Sequence, residues 1–519
     1  MRSRLIDDAE GSGRFARIFS ECLSIGAVLF TLTIFPALMH DHYFDINRFK
    51  VQSLLICFSI LFPLWAGTKL WLLIGKDATA NRIKLNQPIL SGVVFLIVCF
   101  LSAAKSGWSN AVLWGTEGRY SGLFFLLACG MVFLMSAAFV FRKYGQWLEV
   151  VRFSTLALAL LGILNILGRD PFGFYIGIRK GQEDYFVSTI GNTDFFGAWL
   201  AMLYAFCTRP KRDNVLLKKR SMIKNMPWAV ILPMAVVASR SDGAFGAMLL
   251  ICLIRIVLSA DDWEELGYCL LLTALLWFSL PVMKSLLLLG RFDIRLKGAA
   301  AYACRYRIGE VLGLVHFAAF YLCTIKHHKG EKILDRAVCL KSLGVFLGLC
   351  ILIVLGVLFY FSALDTSSDL GFASDLLRFN DNWGSRRGFV WKRALRAFSD
   401  FPWNDKLFGR GIDSTKAILT PYFDNPVMLA YGVFNDAHNQ PLQFLITTGI
   451  LGIAAILYFH FSLMVKVARN VENNADCIED FATLCGYTVL SMVSVSQPIL
   501  LATYACIAGL SLSRLNEKE

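Results

Sequence analysis

A histidine with polar neighbours, Asn435-Asp436-Ala437-His438-Asn439, stands immediately before the apolar run Pro441–Leu457, with Gln443 just inside it. Imidazole is the side chain best matched to proton transfer near neutral pH. A lone histidine more often serves as a hydrogen-bonded structural residue, but this setting of amides and a carboxylate favours a chemical role. The interval it closes, Asp365–Gly452, is the longest polar stretch of the chain and also carries Arg386, Arg387, Trp391 and Arg396. A second cation, Arg240 in Ser239-Arg240-Ser241-Asp242-Gly243, interrupts two apolar segments. An arginine near membrane depth costs about 2.5–3.5 kcal/mol unless it is paired or reaches water, so it marks a functional position or a hairpin whose guanidinium reaches the headgroups.

Three further clusters are weaker. Gly191-Asn192-Thr193-Asp194 opens an apolar run. Asn192 suits a helix cap there, and a helix start can equally face a phosphate. Arg119, in Glu117-Gly118-Arg119-Tyr120-Ser121-Gly122, either contacts an anion or pairs with Glu117. His40-Asp41-His42 with Asp45 has no zinc-site spacing and reads as a solvated loop, so neither a metal nor a cofactor is expected.

The elements that must position these groups are membrane helices. Of 519 residues 56% are hydrophobic and only 17% charged, with a mean hydropathy of +0.57. A soluble domain carries about 25% charged residues, and here the apolar residues fall in runs of bilayer length. The sequence predicts an all-α, polytopic protein with about 12–14 spans. Fourteen candidates lie near 18–39, 52–75, 88–104, 121–141, 149–168, 190–207, 226–239, 241–259, 266–283, 308–325, 342–364, 434–463, 481–496 and 498–513. The chain reads as a single membrane domain, 1–519, with one large extracytoplasmic loop, 365–433. In that loop Arg386–Asp400 has amphipathic helical spacing, suited to cap a site. Most of the fourteen cysteines sit inside apolar runs without a CxxC pair, where they act as small hydrophobes.

Basic residues at the termini and near 76–84, 142–143, 209–224, 326–341 and 466–469 mark one side as cytoplasmic. Alternation places 40–50, 105–120, 169–189, 284–307 and 365–433 outside. Those outer loops nevertheless hold Arg48, Lys50, Arg119, Arg179, Lys180, Arg291, Arg295, Arg305, Arg307, Arg386 and Arg387. An anionic ligand is the simplest reason for such cations. The net charge of +13 also suits anionic headgroups, and no nucleic-acid signature accompanies it.

Gly191-Asn192 at a span start, Ser239-Arg240 at a hairpin, Ser385-Arg386 with Trp391, and Ala437-His438-Asn439 before Leu442-Gln443 and Gly449-Ile450-Leu451-Gly452 together resemble the O-antigen ligase and O-antigen polymerase superfamily. Glu117-Gly118-Arg119-Tyr120 and Tyr43–Lys50 are similar to elements of its bacterial ligase-like branch. The resemblance implies a GT-C-like, metal-independent, inverting glycosyltransferase in the bacterial cytoplasmic membrane, with its active site facing outside. Its donor would be a glycan on undecaprenyl diphosphate and its acceptor a sugar hydroxyl on a glycan or glycolipid. By position, Arg240 and His438 match family residues, and either Arg386 or Arg387 matches the loop arginine. His438, Arg240 and Arg386 are then the expected catalytic set. Arg119, Asn192, Arg387, Trp391 and Asn439 are expected to bind substrate. A developing diphosphate charge needs positioned cations, and an attacking hydroxyl needs a base, so the residue types agree with this chemistry.

Other readings use the same residues differently. A polymerase of lipid-linked repeat units differs only in its acceptor. A secondary transporter would explain the many spans and the break at 239–243, but not a large amphiphilic loop or the lack of repeat halves. A protein-glycosylating transferase would share the donor, although the outer loops show no acidic metal pair.

Overall fold

The computed structural model describes residues 2–74, 86–212, 215–289, 296, 298–327, 334–371, 374–423, 434–493 and 497–516. Fourteen helices occupy the fourteen expected places: α1 (Gly13–Ala37), α2 (Ile46–Ile74), α3 (Gln87–Lys105), α4 (Leu123–Ala137), α5 (Leu148–Ile166), α6 (Thr193–Cys207), α7 (Met226–Ala238), α8 (Asp242–Leu258), α9 (Trp263–Leu287), α10 (Ile308–His327), α11 (Arg336–Phe359), then, beyond the loop helix α12 (Trp383–Ser399), α13 (Gln440–Val471), α14 (Cys477–Val493) and α15 (Pro498–Asn516). Among the described residues, nine helical segments are long and apolar enough to cross a membrane. The bent pair Lys218–Lys224 and Met226–Ala238 adds a tenth if it counts as one span. This is fewer than the 12–14 spans expected. The difference is one of length, since a helix of 15 residues such as α4 or α6 rises only about 22 Å against a hydrocarbon core of about 30 Å. The only sheet among the described residues is a two-residue hairpin, Phe186–Val187 with Gly191–Asn192.

Short polar residues start the helices where they precede apolar runs. Asn192 caps α6, Ser241 caps α8, Asp262 caps α9 and Asn439 caps α13, each by accepting a hydrogen bond from a first-turn amide. Packing sorts the helices by depth. Positions 196–205 of α6 are all buried, including Trp199 and Tyr204, so α6 runs through the middle of the bundle. α15 is almost wholly enclosed, whereas α11, the most apolar of the spans, leaves nearly all of its surface to the lipid. α9 packs on α10, α4 on α15, α3 on α13 and α8 on α14.

The loops divide between two ends. At the basic end, buried guanidinium groups are matched by carboxylates. Arg212 reaches Glu265, Asp476 and Glu479 at 3.0–3.1 Å, and Arg514 pairs with Asp480 at 2.9 Å. At the opposite end lie the 40–50, 105–120 and 169–189 loops, the α7–α8 hairpin, Gly298–Arg305 and the described residues 365–371, 374–423 and 434–437. Three of these are joined by side-chain contacts: Tyr43 Oη donates to Ser188 O at 2.9 Å, and Asn47 Nδ2 donates to Gly118 O at 2.8 Å.

The polar segment folds onto this end. α12 covers the stretch given helical spacing by the sequence and buries Val390, Ala394 and Ala397, one stripe at helical period. With Phe401, Ile418 and Leu419 these residues form a second small core over Ala437, Leu442 and Ile446 at the start of α13. α13 itself breaks at Gly449, where φ is +72°. Leu407–Gly411 crosses that break so closely that Gly411 N donates to Thr447 O at 3.0 Å.

Candidate functional site

The His438 segment is held on every side. Arg119, only 2% exposed, pairs with Asp436 and lies 3.6 Å from Asp413. Asp413 accepts hydrogen bonds from Thr116 N at 2.7 Å and Thr116 Oγ1 at 3.1 Å. Burial raises the pKa of the Asp413 carboxyl, and Arg119 with the Thr116 donors opposes that rise. Asp436 in turn accepts the His438 amide proton. Ala437 is pinned through both of its peptide groups: its N–H donates to Gln443 Oε1 at 3.0 Å, and its carbonyl accepts from Trp391 Nε1 at 2.9 Å. Asn439 Oδ1 caps Leu442 N at 2.9 Å while Nδ2 donates to Met492 O at 3.1 Å.

These bonds leave His438 in the left-handed region, with φ +51°. Arg240 (φ +59°) and Arg386 (φ +73°) share that conformation. Non-glycine residues adopt it at a cost of about 1–2 kcal/mol, and such strain gathers at functional positions. Among the described residues the His438 ring has no hydrogen-bond partner. Its pKa is lowered, first by burial and then by Arg387 and Arg119, with Asp436 and Asp194 acting the other way. The neutral imidazole, able to accept a proton, is therefore the resting form.

Of the two arginines that keep donors free at this end, Arg387 acts on the ring electrostatically, and Arg240 stands at the α7–α8 hairpin. Arg387 donates to Gly384 O at 2.8 Å and interacts with Asp194 and Asp242. Arg240 forms an ion pair with Asp184 Oδ2 at 3.0 Å and also donates to the Asp184 carbonyl. In both arginines Nε–H is buried and unpartnered among the described residues. A buried donor left unsatisfied costs about 1–3 kcal/mol, and the Nε–H groups of Arg209, Arg255 and Arg336 are in the same state.

The residues singled out in the sequence thus meet at one end, in different capacities. His438, Arg240 and Arg387 offer free hydrogen-bonding capacity. Arg386 lies exposed at the start of α12, beside Arg387. Arg119, expected to touch substrate or to pair with Glu117, is instead buried between Asp413 and Asp436. Trp391 donates its indole N–H to Ala437 O, and Asn439 donates one of its two amide hydrogens to Met492 O. Asn192 caps α6, accepting from Asp194 N at 2.8 Å, and Asp194 already sets a negative charge at that helix start. Lys50, counted among the outer cations, is 1% exposed and donates to Phe35 O at 3.2 Å, Pro36 O at 2.8 Å and Leu38 O. It neutralises the carbonyl end of α1, so it requires no ligand. Arg305 and Arg307 are exposed, whereas Arg291 and Arg295 lie outside the described residues.

Asp184 and Asp413 carried no sequence signal. Asp194, Asp242 and Asp436 stood inside motifs singled out in the sequence, but their partners lie far away in the chain. No group of three or more His, Cys, Asp or Glu side chains among the described residues is placed to hold a metal ion. His40 Nδ1 approaches only Asp45, at 3.4 Å.

The fold and this site define a multi-pass, all-α membrane protein with a histidine and arginines gathered at one end. Residues 299–457 match the family model described as O-antigen ligase (Wzy_C), and over this stretch the chain is O-antigen ligase-like. The match includes Arg386, Arg387, Trp391, Asp413, Asp436, His438 and Asn439, while Arg119, Asn192 and Arg240 lie before it. It indicates glycan transfer of the ligase or polymerase type. No curated protein matches the chain.

Proposed function

We propose that the protein moves a glycan from an undecaprenyl-diphosphate carrier to an acceptor sugar hydroxyl at the outer face of the bacterial cytoplasmic membrane. The observation that supports this reading is the presence, at one end of the bundle, of a strained, neutral His438 whose ring has no hydrogen-bond partner among the described residues, together with two arginines, Arg240 and Arg387, that each keep a buried N–H without an acceptor among the described residues. The acceptor oxygen attacks the anomeric carbon opposite the diphosphate, and its proton passes to the His438 imidazole. The bond from carbon to the diphosphate oxygen breaks, the electron pair leaves with the diphosphate, and the anomeric configuration inverts. Arg240 and Arg387, with Arg386 beside them, hold the diphosphate oxygens as their charge grows. That interaction strengthens toward the transition state, which is what accelerates the step.

A polymerase that extends lipid-linked repeat units would use the same step, and the family match covers both activities. Product length separates them, because a polymerase makes a ladder on the carrier lipid whereas a ligase moves a finished glycan to a new anchor. The test is transfer by the purified full-length protein from an undecaprenyl-diphosphate glycan to a panel of glycolipid acceptors, with EDTA present. Transfer that persists in EDTA and is lost in Arg240→Ala and His438→Ala supports the proposal. Absence of transfer with every acceptor, together with solute flux in liposomes, would replace it with a transporter.

A further inference from the structure

At the same end as His438, the helical turn Asn110–Trp114 and the helix Thr415–Leu419 of the polar segment enclose an open cleft of about 570 Å³. Its lining includes Ser106, Ser109, Thr116, Arg410, Lys416 and Thr420, and no carboxylate. The hydroxyl hydrogens of Ser106, Thr116 and Thr420 are already donated, to Ser102 O at 2.7 Å, Asp413 Oδ2 at 3.1 Å and Lys416 O at 2.7 Å. Their oxygens remain as acceptors for a ligand's O–H groups.

The two cations of the lining differ. Arg410 pairs with Asp405 at 2.8 Å and lies over the Phe401 ring, 4.2 Å from its centre. Lys416 is exposed and has no ion-pair partner among the described residues. The larger cavity at the basic end, about 800 Å³, is different in kind. Arg152, Arg209, Arg212 and Arg514 in its lining each face a carboxylate of the protein, and Glu149 and Asp476 belong to the lining itself, although Lys211 there has no ion-pair partner among the described residues. In the cleft, no carboxylate of the lining offsets Lys416.

We propose that this cleft binds the acceptor, as a saccharide that carries a phosphate or carboxylate group. The proposal rests on the transfer reading above and adds the acceptor's chemical class and location. Hydroxyl oxygens receive the sugar O–H groups, and Lys416 with Arg410 receives the anionic substituent. The cleft is also wired to the reacting segment. Thr116 in its wall holds Asp413, Asp413 faces Arg119, Arg119 holds Asp436, and Asp436 holds the His438 amide. A ligand that orders this wall orders the base.

The test uses full-length protein in nanodiscs of zwitterionic lipid, with saturation-transfer NMR on glucose 6-phosphate, glucose and inorganic phosphate as probes. Glucose 6-phosphate is expected to bind saturably and more tightly than either simpler probe. Its affinity is expected to fall about fivefold in Lys416→Gln, as for one exposed charge contact, and at least as far in Ala417→Trp, which fills the cleft from an exposed position. The melting temperatures of both variants serve as the folding control. No saturable binding, binding matched by inorganic phosphate alone, or binding unchanged in both cleft variants overturns the proposal. So does displacement of the sugar phosphate by anionic phosphatidylglycerol, which would make the cleft a headgroup site. If the binding pattern holds but no glycan is ever transferred, the saccharide site stands and the transfer reading falls.

Discussion

His438 sits where burial keeps its imidazole neutral, so the base form persists through neutral pH and is lost only on acidification. The transfer rate is expected to fall as pH drops through a midpoint below 6.5, the ordinary histidine value. A midpoint above 6.5 in a pH–rate profile would count against His438 as the base. Arg387 helps depress that pKa, so Arg387→Gln should raise the midpoint as well as slow transfer. His438→Ala should lose about 10²-fold or more in rate, the usual contribution of a general base. Arg119 is the reverse case, a functional-looking cation that works through others. Arg119→Ala leaves Asp413 and Asp436 buried without their cation and should cost about 3–5 kcal/mol of stability. In the milder Arg119→Lys, kcat is expected to fall more than KM rises. A change confined to KM would return Arg119 to direct substrate contact.

At the scale of elements, the docking of the polar segment onto α13 depends on two glycines at one crossing. A methyl group added at Gly409 would lie 2.2 Å from the Thr447 carbonyl, and one at Gly449 would lie 2.3 Å from Leu407 O. Both residues also have positive φ, +74° and +72°. Gly409→Ala and Gly449→Ala should therefore each cost about 3 kcal/mol, from overpacking together with a left-handed Cβ. The losses should appear as lower melting temperatures and as faster protease cleavage within 400–423. Unchanged melting would mean that the crossing relaxes freely. The break at Gly449 has a second effect. It tips the first two turns of α13, with Leu442 and Ile446, toward the small core beneath α12, and so brings Trp391 within reach of Ala437 O.

For the whole molecule, the two ends treat charge differently. The basic end pairs Arg209, Arg212, Arg336 and Arg514 with carboxylates of the protein, while the cleft at the His438 end carries Arg410 and Lys416 with no carboxylate in its lining. If the His438 end faces outside, an impermeant maleimide on intact cells should label Asp381→Cys but not Lys211→Cys, in a background lacking the exposed Cys22. Labelling at 211 alone would reverse the orientation and place the transfer chemistry in the cytoplasm.

Apolar run length was enough to locate all fourteen helices, because burying a backbone in lipid demands helical hydrogen bonding and leaves few alternatives. The amphipathic helix of the polar segment was equally legible, since its period is local. His438 and Arg240 stood out because a polar group beside an apolar run is costly and therefore conspicuous. How many helices cross by themselves was not legible, because a 15-residue apolar run looks alike whether it meets lipid or, as in α6, other helices. Nor could the sequence choose between Arg386 and Arg387, which are adjacent but point to different surroundings. The contacts that Arg119, Trp391, Asn439 and Lys50 make inside the protein, and the partners of Asp184 and Asp413, were decided only by tertiary structure. A charge's role depends on which partner it meets after folding, and Arg119 meets Asp413 and Asp436 only when the 105–120 loop, the polar segment and the start of α13 converge.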